Sequence, residues 1–262
     1  MITVVCVYNN QEILDNLLLK SLKTQSLDYE LILMDNTNNH FKSAAEALNQ
    51  GAKKAKGSYM MFVHQDIDLK SDEWLKNTES TLNSLDNLGV AGVAGVSPWD
   101  EDEKISNIKQ GSPPRKISDN HIETPQKVQT VDECLFIIPK SVFDILKFDE
   151  EVCDDWHLYA ADYCLSAINM GLNVFVIPSE IYHSSPGNSM SDKYYTTLGN
   201  ILKKHKKYHR FIFTTMGGWT SFYPLYIQKK RPYVKKKLLA IFQKIYQSKN
   251  NFPSINYKLI IF

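Results

Sequence analysis

The stretch Gly57 to Leu69, GSYMMFVHQDIDL, runs a short apolar segment straight into His64, Gln65, Asp66, Ile67 and Asp68. Carboxylates are hard oxygen donors that hold divalent cations, and imidazole suits Mn²⁺ better than Mg²⁺. Asp66 and Asp68 are both candidate metal ligands, since alternation along a strand would put them on the same side. A second group runs Asp154, Asp155, Trp156 and His157, with Asp162 close behind. Carboxylates and imidazoles of this kind can take a proton from a hydroxyl as a general base. His183 follows the strand-like pair Ile181 and Tyr182 and precedes the loop SSPGNS. Asp35 ends another apolar run, and unpaired carboxylates are seldom buried without a task.

The elements that must position these groups alternate along the chain. Ile2 to Tyr8 reads as a buried strand closed by Asn9 and Asn10. Glu12 to Lys23 puts Ile13, Leu14, Leu17, Leu18 and Leu22 on one helical face, with Asn9 and Glu12 at capping-box spacing. Glu30 to Met34 is the next strand, and Ser43 to Lys56 a helix with Gly57 as its C′ residue. Tyr59 to Val63 then completes a β-α-β-α-β order, which predicts a parallel sheet with ligand groups at the strand ends.

Beyond this point Ser71 is expected to cap a helix through Leu85, followed by the small-residue strand Val90 to Val96. The polar segment from Ser97 to Thr130 reads as a mobile acceptor lid. Val131 to Ile138 resumes strand character, Ser141 to Leu146 a short helix, Asp162 to Met170 a helix ended by Gly171, and Val174 to Ile177 a strand.

The net charge of +1 conceals an asymmetry: residues 1–192 hold 15 Lys or Arg and all 29 Asp or Glu, whereas residues 193–262 hold 15 basic residues and no acid. An acidic body of net −14 thus carries a basic tail that should seek an anionic surface. Cys6, Cys134, Cys153 and Cys164 are scattered, which argues for reduced thiols in a cytoplasmic protein and against structural zinc. The strand-like start at Ile2 leaves no room for a signal peptide, and no stretch has the apolar purity of a membrane span.

Taken in order, ITVVCVYNN (2–10), LILMDN (31–36), NQGAKKAKGSYMMFVHQDIDL (49–69), VDECLFIIPKSVFD (131–144), FDEEV (148–152), WHLYAADYCLSAINMGLNVFVIP (156–178) and IYH (181–183) resemble the family 2 glycosyltransferases of the GT-A fold. The particular branch resembled has HQD where most members have a DxD metal motif. The resemblance implies an α/β architecture with a Rossmann-like mixed central sheet flanked by helices, here over residues 1–192, with 193–262 as a basic C-terminal helical extension. It also implies inverting transfer from a nucleotide-diphosphate sugar to an acceptor hydroxyl, with Mn²⁺ or Mg²⁺. A UDP-sugar is favoured, with dTDP- and GDP-sugars as alternatives.

By position, Val7, Tyr8, Asn9 and Asp35 correspond to the nucleoside pocket, and His64 and Gln65 to donor contacts. Asp66 matches the second DxD aspartate as the direct metal ligand, with Asp68 the alternative, and His183 matches a histidine that reaches metal or diphosphate. The acidic motif expected at the start of the late helix falls on Tyr-Ala-Ala-Asp, residues 159–162, so the base position coincides with Ala160. Asp162, Asp155, Asp154 and His157 remain candidates for the base, Trp156 for a sugar platform, and Asp132 and Glu133 for contacts to acceptor hydroxyls.

In the tail, Leu238, Leu239, Ile241, Phe242 and Ile245 recur at near-helical spacing beside lysines, the pattern of an amphipathic helix on anionic lipid or of a helix packed on the acidic body. No nucleic-acid module is present in the sequence. The expectation is a cytoplasmic enzyme, peripheral on the inner face of the cell membrane, that acts on a glycan or lipid-linked acceptor in surface polysaccharide or glycoconjugate synthesis. The alternatives are a catalytically weak GT-A domain that binds nucleotide or a partner, and a metal-dependent phosphoesterase.

Overall fold

The structure is a computed structural model and describes residues 1–185, 187, 190–230 and 232–249. Seven strands form a central sheet in the order Gln126–Lys127, Asn173–Val176, Leu88–Gly92, Leu135–Pro139, Tyr59–Val63, Ile2–Tyr8 and Tyr29–Asp35. Ile2–Tyr8 pairs in parallel with both Tyr29–Asp35 and Tyr59–Val63, as the strand–helix alternation requires. Leu135–Pro139 enters antiparallel between Tyr59–Val63 and Leu88–Gly92, which makes the sheet mixed. Its middle strands are unbroken apolar runs because both faces are covered. Met60, Phe62, Phe136 and Ile138 pack into the core on one face, and Met61, Val63, Leu135 and Ile137 into the core on the other.

The flanking helices keep their expected places with altered ends. The first is continuous from Gln11–Leu14 through a π turn at Asp15–Leu19 to Lys20–Leu22, and buries Leu14, Leu18 and Leu22. Its cap is Asn10, whose side chain accepts from the Ile13 N–H at 3.1 Å, in place of Asn9. Ala44–Ala52 is capped reciprocally: Ser43 Oγ accepts from Glu46 N at 3.2 Å and Glu46 Oε2 accepts from Lys42 N at 2.8 Å. This helix ends at Lys53, so Gly57 is not its cap. Glycine is needed at 57 because a Cβ there would sit 2.7 Å from the Met1 carbonyl oxygen. The next helix spans Trp74–Asn83, and Ser71 lies before it, accepting from Glu73 N at 3.3 Å.

The polar segment 97–130 is built into sheets instead of forming a free lid. Lys104–Ser106 pairs with Ala94–Val96, which in turn pairs with Thr130–Val131. Ile108–Gln110 pairs with Ile181–His183 and with Arg115–Lys116, and Ile181–His183 also holds Ile67–Asp68. These strands are two or three residues long, too short to show hydrophobic alternation. The run Val90 to Val96 likewise divides, with Leu88–Gly92 in the central sheet and Ala94–Val96 in a small one.

The compositional break at residue 192 is not a break in packing. Asp192–His205 puts Tyr194, Leu198, Ile201 and Leu202 into the same core as Phe62 and Phe136. The hairpin Phe211–Thr214 and Gly217–Thr220 is joined to the body by Gln129, whose Nε2 donates to Phe211 O at 3.0 Å and whose Oε1 accepts from Phe213 N at 2.7 Å. Helix Pro232–Lys249 buries Leu239 against Val96, Phe211 and Phe213, while Ile241 is 52% and Ile245 47% exposed. Among the described residues no helix is long and apolar enough to cross a membrane. All four cysteines are buried free thiols.

A Cβ on Gly95 would meet the Thr130 carbonyl oxygen at 2.5 Å. Gly95→Ala should therefore destabilise the protein by about 1–3 kcal/mol, read as a lower urea midpoint at unchanged m-value.

Candidate active site

The site begins with the antiparallel register that sets Leu135 opposite Val63. His64 N donates to Cys134 O at 2.9 Å, so the end of one strand lies beside the start of the other and Glu133 faces the same region as His64. After the turn at 64–66, Ile67–Asp68 pairs with Ile181–His183, opposing Ile67 to His183, and Ser184 N donates to Asp66 O at 3.1 Å. Ligand atoms of His64, Asp66 and His183 thereby lie within 4.8 Å of one another.

The electrostatics of this triad suit a cation. His183 Nε2 is buried without a hydrogen bond, 3.4 Å from Asp66 Oδ1. His64 Nε2 is 3.1 Å from the Tyr159 hydroxyl. Burial, reinforced by His183, lowers the His64 pKa and keeps its imidazole neutral, the form that ligates metal. Burial pushes the Asp66 carboxyl up, but its contact with His183 outweighs this and holds it below the usual range. Two imidazoles and one carboxylate, one of the imidazole nitrogens buried with no hydrogen-bond partner, are a donor set that suits Mn²⁺ better than Mg²⁺.

Two cavities meet at this triad. The first, of about 480 Å³, is lined by Tyr8, Asn36, Trp156 and Tyr159 among others. The second, of about 360 Å³, is lined by Asp132, His157, Tyr194 and Thr215 among others. The residues common to both are His64, Asp66 and Glu133.

The structure places the expected site residues unevenly. Val7, Tyr8, Asn9 and Gln65 line the first cavity. Gln65 also clamps the turn after the first strand: its Oε1 accepts from Asn9 N and Asn10 N at 3.0 Å, and its Nε2 donates to Asn9 Oδ1 at 2.7 Å. Asp35 stands outside the lining, exposed, and the Thr37 N–H and hydroxyl hold its carboxyl below the usual range. Its buried neighbour Asn36 lines the cavity in its stead, with Oδ1 accepting from Phe41 N at 2.9 Å. Asn36 carries no sequence signal apart from its place at a strand end.

Other expected site residues lie elsewhere. Asp68 is not part of the triad; its Oδ1 accepts from Lys70 N at 2.8 Å and its Oδ2 is 3.5 Å from Lys70 Nζ. Asp162 is buried away from both cavities, with Oδ2 2.7 Å from Lys204 Nζ and Oδ1 2.8 Å from His205 Nε2. Asp155 is also outside the cavity walls, 3.3 Å from Lys193 Nζ. His157 does line the second cavity, with Nε2 3.3 Å from Ser191 Oγ, and burial lowers its pKa.

Residues 2–209 match the sequence profile of the glycosyltransferase-like family, and the chain belongs to that family. No curated protein matches it significantly in sequence. Among solved structures, residues 1–349 of TarS from S. aureus, in complex with UDP-GlcNAc, superpose with a TM-score of 0.56 at 14% identity, over 78% of this chain and 66% of that one. GalNAc-T7 with UDP, GalNAc and Mn²⁺ gives 0.57 at 14% identity, over 78% and 47%. The mannosyltransferase PcManGT from Pyrobaculum calidifontis, in complex with GDP-Man and Mn²⁺, gives 0.53 at 13% identity, over 79% and 64%. At these identities the likeness concerns the GT-A fold, and the chain spans no more than 66% of any of the three.

Removing the buried Asp162 carboxylate takes away the partner of His205 Nε2 and one of the two carboxylates that Lys204 meets. Asp162→Ala should cost about 3 kcal/mol of stability by chemical denaturation while leaving nucleotide affinity of the folded fraction unchanged.

Proposed function

We propose that the chain is a metal-dependent inverting glycosyltransferase that moves a sugar from a nucleoside diphosphate to an acceptor hydroxyl. The observation that carries this reading is the triad of His64, Asp66 and His183 at the junction of two cavities. The first cavity offers the Tyr8 ring for stacking on a base and Asn9 and Asn36 for polar contacts. The diphosphate then falls at the junction, where His64, Asp66 and His183 would hold Mn²⁺. When bound, the cation supplies Lewis-acid stabilisation of the departing diphosphate. Trp156, 36% exposed on the cavity wall, supports a sugar ring by its face. An acceptor in the second cavity approaches the anomeric carbon from the side opposite the diphosphate, which gives inversion.

A UDP-sugar is our preferred donor, and a glycan or lipid-linked acceptor in surface polysaccharide or glycoconjugate synthesis our preferred acceptor. A nucleotide-binding module without transfer is the second reading, favoured by the engagement of Asp162 in an ion pair instead of a cavity. Thermal shift with UDP and Mn²⁺ tests the shared premise. UDP at 100 times its Kd should add about 2.7 kcal/mol of apparent stability, lost in Asp66→Ala and kept in Asp68→Ala. Absence of any shift with UDP, GDP or dTDP would refute both readings, and UDP release from a UDP-sugar separates them.

Helix Pro232–Lys249 supports a membrane-facing role, since Ile241 is exposed on a lysine-rich segment. Sedimentation with vesicles containing phosphatidylserine should retain the wild type and release Ile241→Glu; equal binding of both would contradict this orientation.

A further inference from the structure

The carboxylates that could act as a catalytic base differ in where the fold places them. Asp162, Asp155 and Asp154 lie outside the lining of both cavities. Asp132 lines the second, but its Oδ1 accepts from Cys134 N at 3.0 Å and its Oδ2 from the Thr215 hydroxyl at 2.7 Å. Asp66 is turned onto the two imidazoles of the triad. Ala160, where the acidic motif of the late helix would fall, is wholly buried and has no group to offer.

Glu133 differs from all of these. It lines both cavities, beside His64 and Asp66. Its Oε1 is enclosed and makes no well-formed hydrogen bond within the protein. The carboxylate faces the backbone N–H groups of Tyr159, Leu158 and Ala160 at the start of helix Tyr159–Asn169, where Leu158 adopts φ +63°.

 Asp132, Cys153, Tyr159 and Tyr194 are among the titratable groups close to it. Burial, then Asp132, raises its pKa well above the ordinary carboxylate range, and the helix N–H groups pull the other way. The backbone of Ala160 therefore meets a carboxylate that arrives from a different element.

We propose that Glu133 is the general base of the transfer, a role that rests on the glycosyltransferase reading above. The acceptor O–H gives its proton to the Glu133 carboxylate while its oxygen forms the new bond to the anomeric carbon. The bond from that carbon to the diphosphate oxygen breaks, and its electron pair leaves with the nucleoside diphosphate. The carboxylic acid then returns the proton to solvent. A carboxylate of raised basicity is the better acceptor for a hydroxyl proton.

The test uses the full chain with Mn²⁺, UDP-GlcNAc, UDP-glucose and GDP-mannose as donors, and water as acceptor, reading nucleotide release together with UDP affinity by calorimetry. Glu133→Gln should lower kcat by about 10²–10⁴-fold with UDP affinity unchanged and the acid limb of the pH–rate profile abolished. Glu133→Asp should keep intermediate activity with that limb displaced, which also covers the case in which the glutamine variant does not fold. Glu133→Gln turning over within about threefold of wild type, or losing activity only in step with UDP affinity, would overturn the assignment. An unmoved acid limb in Glu133→Asp would do the same. A wild type that binds UDP with Mn²⁺ but releases nucleotide from no donor would instead sink the transferase reading, and this assignment with it.

Discussion

The site depends on one pairing, the antiparallel contact of Leu135–Pro139 with Tyr59–Val63. Parallel neighbours bring like ends together, so a purely parallel sheet would leave the start of 135–139 at the opposite edge from His64. The antiparallel strand reverses this and delivers Asp132 and Glu133 to the edge where the other strands end. Phe62 and Phe136 stack at 5.2 Å between ring centroids, within a continuous core on that face. A slip of one residue would turn that aromatic pair to the other face and carry Glu133 away from the triad.

A second constraint joins the acidic body to the basic segment. Lys204 reaches both Asp149, at 2.9 Å, and Asp162, at 2.7 Å, while Lys193 meets Asp155 and Lys229 meets Asp192. Part of the charge asymmetry in the sequence is thus satisfied within the molecule, where helix Asp192–His205 packs on helix Tyr159–Asn169. The buried pair of Asp162 with His205 and Lys204 costs desolvation that its attraction offsets only with this geometry. It anchors the helix whose first turns present Ser191 and Tyr194 to the second cavity region, next to His157.

Much of this was legible in the chain because it is local. The alternation of apolar runs and helical faces through residue 63 required parallel pairing, and the abrupt change from Val63 to His64 marked a strand end. His64, Asp66 and His183 were all singled out from their strand-end positions, and they converge. What was not legible is non-local. Asp162 looks like an acid at a helix start until its partners, 42 and 43 residues away, are in place. Asp68 shares its alternation with Asp66 only if the strand is continuous, but a turn precedes Ile67. The segment 97–130 is polar and punctuated by proline, yet short edge pairings with distant strands give it structure. Likewise Asn10 and Asn9 are equivalent in type, and Gln65, 56 residues on from Asn9, distinguishes them by donating to the Asn9 side chain.

The central claim is that two imidazoles and one carboxylate receive the cation that steadies a nucleoside diphosphate. Pulsed electron paramagnetic resonance of Mn²⁺ added with UDP reads the coordinated nuclei directly. The account expects nitrogen modulation from His64 and His183 together with phosphorus coupling from UDP, the nitrogen signal weakening in His183→Ala. Manganese that shows phosphorus and water couplings with no histidine nitrogen would contradict it.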